Sequence, residues 1–360
     1  MMTARFRRPA WLPRAVVSVH SLFFVFVLFP LCALSVTSSL LAAGELAPGQ
    51  NTAGEQPAPA DAALAEADPD VSPMAESDAE YRAAIEAWRR ERDDRLRHPD
   101  GWLTLAGLHW LGDGVHLVGS AADALVRLPD SVPERVGRLL AEPAPDDSTA
   151  YRLEVADGVE LMIAGEPSRG AVLRSDAQGA PTRVEIGPVV FYLIERSGRV
   201  GVRVKDEESE VLRSFHGIAQ YAIDRDWRVE ARYVPYETPR EIPVPSALGY
   251  STQELAPGYV AFERDGAEHR LDVLEGGDEN EVFVLFADTT NGRATYGGGR
   301  FLYALLDGDL ATPGSVVLDF NKSYNPPCAF TPYATCPLPP SQNRLQLAIE
   351  AGERAFGEEH

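Results

Sequence analysis

The sequence predicts a mostly β protein, in which one N-terminal helix precedes a sandwich-like β half and a second half that is barrel-like or again a sandwich. From residue 102 onward, short apolar runs alternate with turns rich in Gly, Pro and Asp, a pattern typical of sandwiches and barrels. One stretch, residues 78–97, has the spacing of an amphipathic helix. The 360 residues, 45% of them apolar, are enough for one large domain or two ordinary ones.

Residues 1–43 are expected to be a signal peptide or a membrane anchor. A basic start, a strongly apolar run and small residues follow one another, at Arg5, Arg7, Arg8 and Arg14, then Val16 to Val36, then Ala42, Ala43 and Gly44. This order predicts a secretory signal peptide, and hence an exported protein in the periplasm or outside the cell. Because the run is long, an uncleaved anchor is the alternative, and Cys32 raises a lipoprotein as a third.

Residues 44–78 form a different kind of segment, rich in Ala, Pro, Glu and Asp and almost without large apolar side chains. Such a composition buries too little surface to offset the entropy of ordering, so we predict a disordered linker. The helix predicted over Asp78–Arg97 follows, with Tyr81, Ile85 and Trp88 on one face. His98-Pro99-Asp100-Gly101 ends it, because Pro and Gly disfavour its continuation.

The β-rich domain is predicted over residues 79–352, with a sub-boundary near 213–221 where the strand pattern breaks, and residues 353–360 are expected to be a C-terminal tail. In the first half, strands are predicted at Val115–Val118, Tyr151–Val155, Arg183–Ile186, Val189–Glu195 and Val200–Val204. In the second half, strands are predicted at Arg225–Tyr236, Tyr259–Arg264, His269–Leu274, Glu281–Ala287, Phe301–Leu305 and Ser315–Phe320, and the last segment, Asn343–Gly352, resembles a short strand.

The charge of the chain limits its partners. A formal net charge of −21 argues against nucleic acid, which demands basic patches, and is a poor match for an anionic membrane surface. We therefore expect no nucleic-acid partner, and a membrane contact only through the N-terminal segment if that segment is uncleaved.

The most specific strings lie between Asp288 and Gly352. They are Asp288-Thr289-Thr290-Asn291-Gly292, Thr295-Tyr296-Gly297-Gly298-Gly299-Arg300-Phe301-Leu302-Tyr303, Leu318-Asp319-Phe320-Asn321-Lys322-Ser323-Tyr324-Asn325-Pro326-Pro327-Cys328 and Asn343-Arg344-Leu345. These strings closely resemble the C-terminal signature of the DUF1684 family, and Gly101-Trp102-Leu103-Thr104-Leu105 and Val202-Arg203-Val204-Lys205-Asp206 resemble earlier parts of it. The resemblance covers roughly residues 81–352. It implies an architecture and almost no chemistry, because the family is defined as one of unknown function.

Arg300 is the centre of the candidate site. Its planar guanidinium suits a carboxylate or phosphate, and it equally suits a buried structural ion pair with Asp319. The triple glycine before it permits a turn or a close backbone approach, but its spacing does not match a dinucleotide-binding loop. The predicted ligand-binding residues are Tyr296, Arg300, Tyr303, Asp319, Asn321, Asn325 and Asn343.

Cys328 and Cys336 are the two cysteines that remain after a signal peptide is removed. In an oxidising compartment their spacing favours a disulfide that closes a small loop. Two free buried thiols are the alternative. No metal site is predicted, because two cysteines leave zinc two ligands short, and no cofactor is expected.

Three functions remain open from the sequence. The first is a binding protein that holds a small polar or anionic ligand in a pocket of the C-terminal half. The second is a hydrolase-type enzyme that uses the same pocket, with Asp319 or His216 as general base, although the sequence contains no G-x-S-x-G motif. The third is a structural or envelope-interaction protein without a small-molecule site. A His converging with Arg300 and Asp319 in one cleft would favour the enzyme, whereas an aromatic cleft without such a group would favour binding.

Overall fold

The computed structural model describes residues 76–144, 148–278 and 280–357, so the predicted signal segment and most of the predicted linker lie outside the described residues. The first described element is helix α1, Asp78–Arg97, which matches the predicted bounds. Ser77 caps its first turn: its hydroxyl accepts from the backbone N–H of Glu80, whose carboxylate accepts from the backbone N–H of Ser77 in return. Tyr81, Ile85 and Leu96 lie on its buried face.

Eleven strands follow α1 and form two sheets: β1 Leu105–Trp110, β2 Val115–Gly119, β3 Val126–Arg127, β4 Gly137–Pro143, β5 Thr149–Val155, β6 Met162–Ile163, β7 Glu166–Pro167, β8 Gly170–Leu173, β9 Val184–Ile186, β10 Val189–Arg196 and β11 Arg199–Asp206. One sheet has the order β1-β11-β10-β9-β6-β7 and the other β3-β2-β4-β5-β8. Inward side chains of both sheets, such as Leu139 and Phe191, share one apolar cluster. This half is therefore a β-sandwich, as predicted.

The second half is a closed six-stranded barrel. Its strands are β12 Arg228–Pro245, β13 Ser251–Arg264, β14 Ala267–Glu275, β15 Glu281–Phe286, β16 Arg300–Asp307 and β17 Gly314–Asp319. Each strand pairs antiparallel with the next, and β12 pairs with β17 to close the ring. Short helix α2, Glu210–Arg213, and a 3-10 turn at Arg225–Trp227 connect the sandwich to the barrel.

The segment predicted as a strand over Asn343–Gly352 is not one. It begins with a 3-10 turn at Ser341–Asn343 and continues as extended backbone that makes one isolated bridge, Arg344 to Ala287. Leu345, Leu347, Ile349 and Ala351 alternate along it and pack into the apolar cluster of the barrel interior. The apolar alternation that suggested a strand therefore serves to fill the barrel instead of to pair with a neighbour.

Candidate functional site

A cavity of about 590 Å³ lies between α1, the segment after it and the outer wall of the barrel. Helix α1 contributes three side chains at spacings of four and three, which places them on one face. The barrel contributes residues of β15 and β16 and of the segment after β17. The lining residues are Trp88, Arg92, Arg95, Asp100, Gly101, Trp102, Glu281, Phe301, Tyr303, Lys322, Tyr324 and Pro327.

Aromatic rings form one wall of the cavity. Tyr303 is nearly parallel to Phe283, with ring centroids 4.6 Å apart, and nearly parallel to Tyr324, with centroids 6.4 Å apart. Trp88 of α1 lies 6.4 Å from Tyr324, centroid to centroid. Tyr303 is 42% exposed, so part of its ring is accessible to a ligand. Burial raises the pKa of both the Tyr303 and Tyr324 hydroxyls, which therefore stay protonated at neutral pH.

Arg92 is a fixed cation at the back of this wall. Its Nε lies 3.1 Å from a carboxylate oxygen of Glu353, and a terminal nitrogen donates to the backbone carbonyl of Asn325 at 2.9 Å. The guanidinium carbon lies 4.6 Å from the ring centroid of Tyr324, which is a cation–π contact. Arg92 therefore connects α1 to the C-terminal segment at Glu353 and to the segment after β17 at Asn325, beside the Tyr324 ring.

Lys322 is the cation that remains open to a ligand. It lines the cavity, is partly buried, and forms no ion pair with any residue that the structure describes. The sequence contains only two lysines, Lys205 and Lys322, among 33 basic residues. Arg95, at the rim, is exposed and pairs loosely with Glu91 of the same helix at 3.8 Å. The open positive charge of the cavity therefore comes from Lys322 and Arg95.

The two acidic side chains of the lining are both engaged. Asp100 accepts a hydrogen bond from Arg183 at 2.8 Å and lies 3.5 Å from the ammonium of Lys205. The hydrogen bond from Arg183 holds the pKa of the Asp100 carboxyl below its usual range. Glu281 accepts from the backbone N–H of Gly277 at 2.9 Å. Neither carboxylate is a free general base.

Arg300, the centre of the predicted site, does not line the cavity. Its side chain has no exposed surface and forms an ion pair with Asp288 at 2.5 Å, while it also donates to the backbone carbonyls of Ile349 and Ala351. The expected pairing with Asp319 is absent because of the strand register. Arg300 is paired with Phe286, two residues before Asp288, whereas Asp319 is paired with Arg228 on another strand. Arg300 therefore fastens the C-terminal segment to the barrel.

Asp319 and the three predicted asparagines form hydrogen bonds with backbone groups of neighbouring segments. Asp319 accepts from the hydroxyl of Tyr81 at 2.9 Å and from the backbone N–H of Asn321 at 3.2 Å. Asn321 bonds both backbone groups of Asp224, Asn325 donates to the carbonyl of Arg354, and Asn343 bridges Asp272 and Leu285. All three are buried, and none lines the cavity.

Tyr296 does not line the cavity, and its hydroxyl donates to the carbonyl of Cys328 at 3.1 Å. Gly299, the third residue of the glycine triplet, has φ +88°, and a Cβ there would lie 2.4 Å from Cγ of Pro339. Only glycine meets both demands, so the triplet forms the turn into β16.

The structure does not show the predicted disulfide. Cys328 and Cys336 are free thiols, although they are neighbours: the backbone N–H of Cys328 donates to the sulfur of Cys336 at 3.0 Å. The sulfur of Cys336 lowers the pKa of the Cys328 thiol, whereas the interaction with Cys328 and burial raise the pKa of Cys336.

His216, the second candidate base, is exposed and is not part of the cavity. Over residues 76–144, 148–278 and 280–357, no group of three or more His, Cys, Asp or Glu side chains could hold a metal ion. In the same ranges no helix combines the length and apolar character needed to cross a bilayer.

Of the predicted binding residues, then, only Tyr303 lines the cavity. Sequence reasoning missed Lys322, Tyr324, Arg92 and Trp102 as site residues, and it assigned Trp88 to the core face of the helix. Lys322 and Tyr324 lie between Leu318 and Cys328, a string in which Asp319, Asn321 and Asn325 were the predicted site residues. The scarcity of lysine was a signal that could have singled out Lys322.

Comparison with known proteins gives a family without a known activity. No curated protein is significantly similar to the chain. The chain is also similar to an uncharacterized protein from Haloarcula marismortui whose solution NMR structure is known. The two sequences are 34% identical over an alignment that spans 41% of this chain and 80% of the Haloarcula chain, with a TM-score of 0.35. Residues 213–354 match the family model described as "Protein of unknown function (DUF1684)", a narrower range than the 81–352 of the sequence resemblance. Through these residues, which comprise the barrel and the segment that packs into it, the chain belongs to the DUF1684 family.

Proposed function

We propose that this chain is an exported protein that binds a small anionic ligand in the cavity between α1 and the barrel. The observation that supports this most is the combination of Lys322, a cation without an ion pair among the described residues, with the exposed ring of Tyr303 in one concave site. An unpaired ammonium beside a stacking surface suits a planar or ring-shaped anion. The volume of about 590 Å³ lies within the range of small-molecule sites.

Binding is better supported than catalysis. The cavity is lined by aromatic, basic and acidic side chains, and its described lining includes no His, Ser or Cys. Asp100 and Glu281, its two carboxylates, are held by hydrogen bonds, and the candidate bases Asp319 and His216 lie elsewhere. The hydrolase alternative therefore has no specific support, and the structural alternative becomes an outcome of the binding test.

A thermal-shift panel of charged and uncharged partners of equal shape tests the proposal. We expect benzoate, 2-naphthoate and glucuronate to raise the melting temperature of the full chain, and benzamide, 2-naphthamide and glucose to do so far less. Binding to the folded state alone stabilises it by about 2.7 kcal/mol at a ligand concentration of 100 times Kd. If no carboxylate of the panel stabilises the protein beyond its uncharged counterpart at equal ionic strength, the anion-binding proposal is wrong.

Export and the disulfide remain linked proposals. The order of basic, apolar and small residues over positions 1–44 supports export, and an oxidising compartment would convert the neighbouring thiols of Cys328 and Cys336 to a disulfide. Non-reducing peptide mapping of the protein from its native host is expected to give a new N-terminus near residue 44 and one linked pair of cysteine peptides. An intact N-terminus with both thiols alkylated without reductant would contradict both proposals.

A further inference from the structure

Two cations are buried together on one face of β11. Val202 and Val204 of this strand belong to the sandwich core, so strand alternation sends Arg203 and Lys205 to the opposite face. There they are covered by the segment that follows α1, and Arg203 is only 5% exposed and Lys205 7% exposed. A buried strand face normally carries apolar side chains or paired charges.

The charges on this face are not balanced. Lys205 lies 3.5 Å from the carboxylate of Asp100, but Arg183 also uses that carboxylate, at 2.8 Å, and has Glu185 at 3.7 Å as a second partner. Arg203 forms no ion pair with a residue of the described part of the chain. The three cations therefore share two carboxylates, which leaves one positive charge uncompensated.

The hydrogen bonds of Arg203 are also incomplete. A terminal nitrogen of Arg203 lies 3.4 Å from the hydroxyl of Thr335, which is a long hydrogen bond, and the guanidinium also interacts with the hydroxyl of Tyr192. Its Nε is buried without a partner among the described residues, as is the Nε of Arg300. Burial lowers the pKa of Lys205, and Arg183 and Arg203 lower it further against the opposing effect of Asp100. A buried cation without a counter-charge is costly to maintain, so its presence points to an anion that arrives from outside the fold.

Trp102 lies between this charge and the cavity. Its ring lies 5.9 Å from the guanidinium carbon of Arg203, and the same ring lines the cavity and is 38% exposed. The neighbouring Asp100 and Gly101 line the cavity as well. Arg203 does not itself line the cavity, so a ligand in the cavity reaches it only if the Trp102 side chain moves.

We propose that Arg203 and Lys205, beneath Trp102, form a second anion subsite that takes an oxyanion group: a phosphate, a sulfate or a carboxylate. The planar fork of Arg203 can donate two parallel hydrogen bonds to such a group, and one negative charge completes the balance of the cluster. The inference rests on the proposed function and deepens it. The ligand of the cavity carries one anionic group near Lys322 and a second oxyanion that reaches Arg203.

Titration of the full chain with sodium phosphate, sulfate and acetate, at an ionic strength held constant with sodium chloride, tests the subsite. We expect saturable binding of at least one of these ions and a loss of tenfold or more in affinity in Arg203→Gln and Lys205→Gln. Arg152→Gln, at an exposed arginine of β5 outside the cavity, is the control and is expected to bind the ions like the parent. Which ion binds most tightly identifies the chemistry of the group. In buffer without these ions, Arg203→Gln is expected to melt at or above the temperature of the parent, because it removes an uncompensated buried charge.

Tryptophan fluorescence gives a second readout that a purely structural role would not change. Ion binding is expected to alter the emission of the parent, and Trp102→Phe is expected to lose that change while it still binds the ion. Equal ion affinity in the parent and in Arg203→Gln would overturn the subsite, as would a lower melting temperature of Arg203→Gln without ions. If 2-naphthoate still binds in that case, the subsite proposal is wrong and the cavity proposal is still supported. If phosphate binds through Arg203 but 2-naphthoate does not bind, the cavity proposal is wrong and the subsite stands.

Discussion

At the scale of single residues, the two buried arginines Arg300 and Arg203 differ in their ion-pair partners. Arg300 has a carboxylate partner, Asp288, and backbone carbonyl acceptors, whereas Arg203 has no carboxylate partner in the described part of the chain. The Nε of both side chains is buried without an acceptor, so the missing carboxylate is what distinguishes Arg203. A paired buried charge is part of the structure, because loss of one partner leaves the other charge unpaired in a medium that solvates it poorly. An unpaired one is available for a ligand. Sequence alone does not separate these two roles, since both side chains lie on strands of similar pattern.

Arg300→Leu is therefore expected to destabilise the protein by about 3–5 kcal/mol, because it leaves the Asp288 carboxylate buried without its partner. Urea denaturation measures this change in the free energy of unfolding. Arg232→Leu is the matched control, since Arg232 also pairs with an acid, Glu268, but is exposed, and such a pair contributes about 0–1 kcal/mol. An Arg300 variant within 1 kcal/mol of the parent would show that the pair does not fasten the barrel.

At the scale of elements, the C-terminal segment completes the barrel without being one of its strands. Ile349 is fully buried among inward side chains such as Val284 and Leu302. The period-two pattern of this segment revealed its extended backbone from the sequence. The sequence did not predict that this segment lies inside the barrel, because an extended segment that packs side chains into a core has the same apolar pattern as a strand that pairs in a sheet.

Truncation of Ile349 to Ala is expected to lower the free energy of unfolding by about 2–5 kcal/mol, since it removes buried methylene groups and leaves a cavity in the barrel. Leu305→Ala on the outward face of β16 is the control, because Leu305 is largely exposed, and we expect it to change stability by less than about 0.5 kcal/mol. Equal effects of the two substitutions would contradict the assignment of the C-terminal segment to the barrel core.

At the scale of the whole molecule, the sequence predicted the fold well and the site poorly. Periodicity placed α1 at its observed bounds, five of the eleven sandwich strands and all six barrel strands, because one buried face leaves a regular pattern along the chain. It missed β1, β3, β4, β6, β7 and β8, and β12 and β13 extend well beyond their predicted bounds. The cavity leaves no such trace. Its lining comes from α1, the segment after α1, two barrel strands and the segment after β17, and these meet only once the helix docks on the barrel. Arg300, which has the strongest local signal, is buried for structural reasons instead.

Anion binding in the cavity is tested most directly by the dissociation constant of 2-naphthoate, measured by calorimetry on the parent and on three variants. Tyr303→Leu and Lys322→Gln change the cavity, and Tyr333→Leu changes an exposed tyrosine outside it. We expect each cavity variant to bind 2-naphthoate about tenfold more weakly, a loss of about 1.4 kcal/mol, and Tyr333→Leu to bind it like the parent. We expect the affinity for 2-naphthamide to differ much less between the parent and Lys322→Gln. A dissociation constant that is the same within twofold for the parent and all three variants would contradict the claim that this cavity binds an anion.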